Sequence, residues 1–273
     1  MTRARSALRE VAVLGLGKAG GSLLASFAAA RIPVAARARR VPALARQRAA
    51  LTRAPLFLAV PDDALPEVVA ALAAWPALPP VIAHLSGARG LDVLAPLADR
   101  SAIASFHPLA SLDGRHPIPR GTLIAWDARA PSTGPRLAAL ARRIGCVPAR
   151  VTDEARTLYH AGAVVAGNLP VALLAEGVRL LRAAGVPAAT ARVALARLLR
   201  SQADNAERVE LGLALSGPVA RGDADTLARH LRALDERDPR LAALYRELTK
   251  RLIDDVRVPE ARTRARLLRA LSR

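Results

Sequence analysis

Six residues near the N-terminus, Gly15-Leu16-Gly17-Lys18-Ala19-Gly20, carry the G-x-G-x-x-G spacing that lets a backbone approach phosphate. The apolar run Val11-Ala12-Val13-Leu14 precedes them, and a helical pattern over residues 19–30 follows. In that setting the first glycine permits a tight turn. The second gives a pyrophosphate access to the backbone, and the third lets the helix pack against the strand. The start of the helix adds unpaired N–H groups and the positive end of its dipole. The turn therefore predicts a dinucleotide held by Gly15, Leu16, Gly17, Lys18, Ala19 and Gly20.

The next apolar run, Ile32 to Ala36, decides between cofactors. A site for NAD places an acid about 20 residues after the glycines, on the ribose hydroxyls. Between Val11 and Pro61 this sequence has no Asp or Glu, and at the expected place it has Arg37, Arg39 and Arg40. The guanidinium fork suits a 2′-phosphate, so the expected cofactor is NADP(H). Val60 and Pro61, closing a third apolar run, are placed to border it. Asp62 reads as the cap of a following helix.

Two further strand ends carry groups that can move protons. His84, Ser86 and Gly87 close the run Val81 to Leu85, and His107-Pro108 closes Ala102 to Phe106. Delivering hydride to C=O or C=N requires a proton donor beside the developing anion, and histidine titrates near neutrality. His84 reads equally as a core histidine held by backbone hydrogen bonds. Ser86 reads either as a substrate ligand or as a helix cap. The five histidines have no metal-site spacing, and the single cysteine, Cys146, excludes a cysteine metal cluster and an internal disulfide.

These residues need a scaffold, and the pattern of the chain supplies one. Further apolar runs at 122–126 and 147–151 complete a series of short strands, separated by helical segments and closed by turn residues. That is the pattern of a doubly wound, parallel-sheet α/β domain buried on both faces, with ligands outside the carboxyl ends of its strands. From Thr152 onward no strand is evident. Helices are expected from 152 to about 184, then over about 188–209, 223–235 and 239–256. The reading is a Rossmann domain over residues 1–151 followed by an all-α domain over 152–273. Hydrophobic residues are 52% of the 273 and aromatics 3%, so Ala, Leu and Val must fill the core.

The formal net charge of +18 rests on 41 basic residues, of which only Lys18 and Lys250 are lysines. The arginines are scattered among alanines with no interleaved aromatics, which argues against nucleic acid as a partner. Residues 1–10 contain no apolar signal region, and Ala161 to Ala175, the most apolar later stretch, is interrupted by Asn168 and Pro170. No membrane partner is expected, and the expected location is the cytoplasm.

With its motifs assembled, the chain resembles a group of bacterial Rossmann-like proteins with a helical C-terminal domain of unknown function. The stretches that carry the resemblance include VAVLGLGKAGGSLL, HLSGARGLDVLAPL, ASFHPLAS, YHAGAVVAGNLPVALL and LSGPVARGDADTLARHL. That group is similar to ketopantoate reductases, pyrroline-5-carboxylate reductases, prephenate dehydrogenases and β-hydroxyacid dehydrogenases. The resemblance implies a helical domain that closes the active site and a homodimer. It supports a catalytic or substrate-binding role for His107 and makes Asn168 a substrate-orienting residue. Several relatives carry a catalytic lysine four residues before that asparagine; here the position is Val164. His160, about two turns before Asn168 and offset by about 80° around the helix, is a replacement proton donor or a packing residue. The expected activity is NADPH-dependent reduction of C=O or C=N in a small substrate, with a 2-oxo acid such as ketopantoate first. The missing lysine motivates the alternative, a non-catalytic NADPH-binding regulator or partner protein.

Overall fold

The computed structural model describes residues 10–256 and 260–272. Most of the N-terminal stretch read above as lacking a signal region, residues 1–9, lies outside them. So do residues 257–259 and 273 of the arginine-rich tail. The chain divides into two compact units, Met1–Asn168 and Leu169–Arg273.

The first unit contains β1 (Val11–Leu14), α1 (Lys18–Ala29), β2 (Val34–Ala38), the short helices α2 (Val41–Ala45) and α3 (Arg48–Leu51), and β3 (Leu56–Leu58). It continues with α4 (Leu65–Ala73), β4 (Val81–His84), a 3-10 helix over Leu91–Leu97, β5 (Ala102–Pro108) and β6 (Leu123–Ala128). It ends with α5 (Thr133–Arg143), β7 (Val147–Arg150) and α6 (Asp153–Gly167). The strands form one sheet in the order β2-β1-β3-β4-β5-β6-β7. The chain steps outward from β1 to β2 and then crosses to β3 on the other side. The topological switch point, where such sheets bind ligands, thus lies between β1 and β3.

The sheet is mostly rather than wholly parallel. β6 runs antiparallel to β5, pairing His107 with Ala125. No crossover helix joins these two strands: residues 109–122 form a loop, so the chain re-enters from the end at which it left. Two backbone bonds tie this loop to α1. The Gly114 N–H donates to Ser22 Oγ at 3.1 Å and the Ile118 N–H to Ser26 Oγ at 2.8 Å.

Strand residues alternate between two cores. Val11, Val13, Phe57, Ala83 and Ala104 face the side covered by α1 and α5. Ala12, Leu14, Leu56, Leu58, Ile82 and Ile103 face α4 and the 3-10 helix. All three phenylalanines of the chain meet on the first face, Phe27 to Phe57 at 5.8 Å and Phe57 to Phe106 at 5.3 Å between ring centroids. The phenylalanines thus cluster on one face of the sheet, while Trp75 and aliphatics fill the other.

The helical stretch expected from residue 152 is broken at Asn168. α6 caps there and α7 (Leu169–Ala183) begins with Pro170 in its first turn, where the missing N–H costs nothing. The sequence boundary at 151/152 therefore differs from the division between compact units. α6 stays with the sheet because Arg156, in its first turn, is buried against the ends of β4, β5 and β7. By length and composition Asp153–Ala183, which contains an 18-residue window of mean hydropathy 1.5, is comparable to a membrane-crossing helix, which the reading of Ala161 to Ala175 alone did not anticipate.

The second unit is helical: α7, α8 (Ala188–Arg208), α9 (Leu211–Ala214), α10 (Pro218–Arg221), α11 (Ala224–Arg237), α12 (Pro239–Arg251), a π turn over Leu252–Val256 and α13 (Ala261–Leu271). Val219, Leu227, Leu231, Ile253 and Leu267 form its core. Asp223 and Asp238 cap α11 and α12 by accepting backbone N–H bonds.

Candidate functional site

The carboxyl ends of β1 to β5 lie along one edge of the sheet, and the residues that follow them build the site. At the end of β1, Gly15 has φ of +93° and its N–H donates to Ala38 O at 2.9 Å. A Cβ on Gly15 would lie 2.3 Å from Ala59 O, the residue after β3. The turn therefore sits in the switch-point crevice, with glycine required by conformation and by space. A Cβ on Gly20 would lie 1.9 Å from Gly15 O, so this glycine lets α1 pack onto the turn. Gly17 is different. It precedes α1 in an extended conformation with no side-chain cap, and a Cβ there would meet nothing within 4 Å. Open space in front of uncapped helix N–H groups is what a pyrophosphate requires. Lys18 is exposed beside it, and Leu16 and Ala19 complete the turn.

Because Gly15 is bonded to Ala38, Arg39 and Arg40 leave the sheet next to the turn. Arg37, Arg39 and Arg40 are all exposed. Arg40, Val60 and Pro61 line one cavity of about 700 Å³, with Val41, Ala64 and Val68 among the other walls. Three of the residues singled out for the cofactor thus converge. The residues present fit the adenosine end of a dinucleotide: the walls are mostly apolar, with Arg40 the one cation and Glu67 the one carboxylate on the lining.

Along the same edge, Asp62 does not cap α4, whose first turn has no side-chain cap. Its carboxylate instead accepts from Ser86 Oγ at 2.8 Å, tying the end of β3 to that of β4. Ser86 Oγ also accepts the N–H groups of Ala88 and Arg89 at 3.2 and 2.9 Å. This hydroxyl is committed to its own turn and does not cap the 3-10 helix that follows, whose N-cap, Gly90, has no side-chain bond. His84 lies inside the sheet with no solvent exposure, its Nε2 3.1 Å from Gly90 O and its Nδ1 buried without a partner. Burial, reinforced by the Arg156 charge, lowers its pKa to about 4. His84 occupies a core position and does not line the cavity that holds the other histidine candidates.

His107, His160 and Asn168 do come together. They line a cavity of about 660 Å³ with Tyr159, Ser111 and Leu123. His107 Nδ1 is 2.7 Å from Tyr159 Oη, with the two rings edge to face. A Cβ on Gly87 would lie 2.8 Å from His107 Nε2 and 3.0 Å from His160 Nδ1, so both rings close on this glycine. His160 Nδ1 is buried without a hydrogen-bond partner. Burial first, then the Arg156 charge, lowers His107 to about 4, while burial raises Tyr159 above its ordinary value. At neutral pH His107 is the uncharged member of a hydrogen-bonded pair and Tyr159 holds its proton. No lysine or arginine lines this cavity, and Val164 is part of its wall.

Sequence reading missed Tyr159 and Arg156. Arg156 is 1% exposed, donating to Ser86 O at 3.3 Å, Ser105 Oγ at 2.5 Å and Val151 O at 3.4 Å. Among the described residues no carboxylate pairs with it within ion-pair distance. Residues 156, 159 and 160 share one helix face by the i, i+3, i+4 rule. That spacing, in a chain with only two tyrosines, was the available signal. Among the described residues no group of three or more His, Cys, Asp or Glu could hold a metal ion.

With this geometry in hand, comparisons place the chain. The fold matches protein TM1727 from Thermotoga maritima with a TM-score of 0.71 and 22% identity, covering 89% of this chain and 96% of that one. It also matches a pyrroline-5-carboxylate reductase from Coxiella burnetii, with a TM-score of 0.59, 14% identity and coverage of 97% and 98%. A reductive aminase from Aspergillus terreus in complex with NADPH and ethyl-5-oxohexanoate matches with a TM-score of 0.56, 16% identity and coverage of 95% and 98%. These similarities show a shared fold. No curated protein is detectably similar in sequence. The Rossmann-like domain matches residues 4–108, and a domain of unknown function, DUF2520, matches residues 122–252, which include Tyr159, His160 and Asn168. The two family models match in succession, a Rossmann-like domain and then DUF2520, over residues 4–108 and 122–252 of the chain.

Proposed function

We propose that this protein is an NADPH-dependent reductase of a C=O or C=N bond in a small substrate. The observation that carries this reading is the shared cavity of His107, Tyr159, His160 and Asn168, on the sheet edge that also bears the glycine turn. A dinucleotide on that turn supplies hydride when bound. Gly15, Gly17 and Gly20 give it backbone access, Arg37, Arg39 and Arg40 provide cations for a 2′-phosphate, and Val60 and Pro61 flank the adenosine end. Asn168 offers an amide to orient the substrate. Similarity in fold to a pyrroline-5-carboxylate reductase and an NADPH-bound reductive aminase supports reduction as the reaction class.

The substrate class is drawn at the level of the bond reduced. A 2-oxo acid such as ketopantoate brings a carboxylate, and the cavity wall has no lysine or arginine to meet it. Uncharged ketones and cyclic imines therefore stand beside 2-oxo acids in the test. NADPH deuterated on either face of C4 is incubated with the chain and each substrate, and products are read by mass spectrometry. Deuterium in at least one product is expected. NADPH binding with no transfer to any member would favour the non-catalytic regulator. We further propose a homodimer, supported by the apolar surface that the second unit leaves uncovered.

A further inference from the structure

We propose that the Tyr159 hydroxyl is the group that protonates the reduced substrate, and that His107 is its proton reservoir. This rests on the reductase reading above. Three features carry it. Tyr159 and His107 both line the cavity, so the pair stands where a substrate would lie. They are joined at 2.7 Å through His107 Nδ1, which leaves Nε2 to exchange a proton on the other side of the ring, next to Gly87. And the pair is held. The buried Arg156, bonded to Ser86 O, Ser105 Oγ and Val151 O, fixes the rotation of α6, and one turn later that fixes the direction of Tyr159. Gly87 clears the space into which the His107 and His160 rings fit.

A reduced dinucleotide held at Gly15, Gly17 and Gly20 would supply hydride to the carbon of C=O or C=N and leave with two electrons fewer, the π pair passing to the oxygen or nitrogen. That atom takes the proton of the Tyr159 O–H. The phenolate takes the proton on His107 Nδ1, and His107 takes one from solvent at Nε2, so the ring changes tautomer and both residues return to neutrality. The nicotinamide is oxidised and the substrate reduced by two electrons.

The charges around the pair favour this order. Tyr159 is faced by His107 from β5 and by Arg156 and His160 from its own helix, while His107 also feels Asp62 beyond β3. Burial and Arg156 hold His107 at about 4, so at pH 7 it is a poor stoichiometric acid. Tyr159 keeps its proton, and Arg156 stabilises the phenolate that forms.

The test uses the full chain, NADPH and the best substrate from the labelling panel. Tyr159→Phe is expected to lower kcat by about 100-fold or more, with the NADPH Kd, read by cofactor fluorescence, unchanged within about twofold. In wild type the rate is expected to hold from pH 6 upward and to fall only near or above about 10, the ordinary tyrosine value. Tyr159→Phe activity within about threefold of wild type overturns the proposal. So does a wild-type rate that falls steadily as pH rises from 5 to 7, which marks a histidine acid and needs no variant to fold. A wild-type chain that binds NADPH and reduces nothing overturns the reductase reading itself, a result distinct from an active Tyr159→Phe.

Discussion

Arg37 is the next-to-last residue of β2 and Arg39 and Arg40 leave it beside the glycine turn, with no acid in the neighbouring sequence, and Arg40 alone of the three also lines the adenosine-side cavity. Hydrogen bonds from a guanidinium to a phosphate contribute about 1.5–3 kcal/mol, or roughly 10- to 100-fold in affinity. Arg40→Ala is therefore expected to weaken NADPH by about tenfold or more while leaving NADH within about twofold. Titration of both cofactors by fluorescence checks this. Equal loss for the two would move Arg40 from recognising the 2′-phosphate to supporting the cavity wall. Residues of this kind were legible from sequence because their position relative to a motif defines them. Tyr159 and Arg156 were not. Arginine is so abundant in this chain that one buried guanidinium has no compositional signal. Its role emerges only when β4, β5, β7 and α6 meet around it. Ser86 and Asp62 were visible as polar strand-end residues, but that they bond to each other is a property of adjacent strands 24 residues apart in sequence.

At the scale of the element, the three glycines of the turn should respond differently to the same methyl group. On Gly20 it would lie 1.9 Å from a backbone carbonyl, which cannot yield without moving β1 from α1. Gly20→Ala is expected to destabilise the fold by roughly 3 kcal/mol, the cost of overpacking a close contact. That corresponds to a fall in Tm of about 6–12 °C. Gly17→Ala meets nothing within 4 Å, so Tm should stay within about 2 °C while the NADPH Kd rises by tenfold or more, because the methyl occupies the space in front of the helix N–H groups. Differential scanning fluorimetry with and without NADPH separates the two effects. If Gly17→Ala retains full thermal stabilisation by NADPH, the turn is not the phosphate cradle. The element order was legible for the same reason that these glycines were: apolar runs closed by turn residues mark buried strands wherever they occur. Strand direction was not. β6 carries the same apolar pattern as its neighbours, and only the absence of a helix between residues 109 and 122 distinguishes its antiparallel entry.

At the scale of the whole molecule, the second unit poses a question of surface. No residue of α7 is buried, although the helix is rich in leucine and valine. Leu169, Val171 and Leu173 on α7 are 52%, 62% and 43% exposed, and Leu198 on α8 is 56% exposed. The two helices pack closely, with Gly177 against Leu195, so they already have each other and still present apolar residues outward. Large apolar side chains left exposed on two packed helices point to an interface with protein or lipid. Two observations favour a second copy of the chain over a bilayer. The first part of Asp153–Ala183 is α6, whose Arg156 guanidinium is bonded into the strand ends and whose Tyr159 and His160 stand on the wall of the candidate site. Embedding it would draw the sheet edge into lipid with them. Leu169 and Leu173 are one turn apart on the same helix face, so Leu169→Glu with Leu173→Glu places two charges in the middle of the expected interface. Light scattering after gel filtration should give twice the chain mass for wild type and the chain mass for the double variant. NADPH binding, for which every proposed residue lies in the first unit, should change by less than about twofold. A monomeric wild type, or a wild-type chain that sediments with membranes until detergent is added, would reject the dimer. Retention of the dimer by the charged variant would place the interface elsewhere.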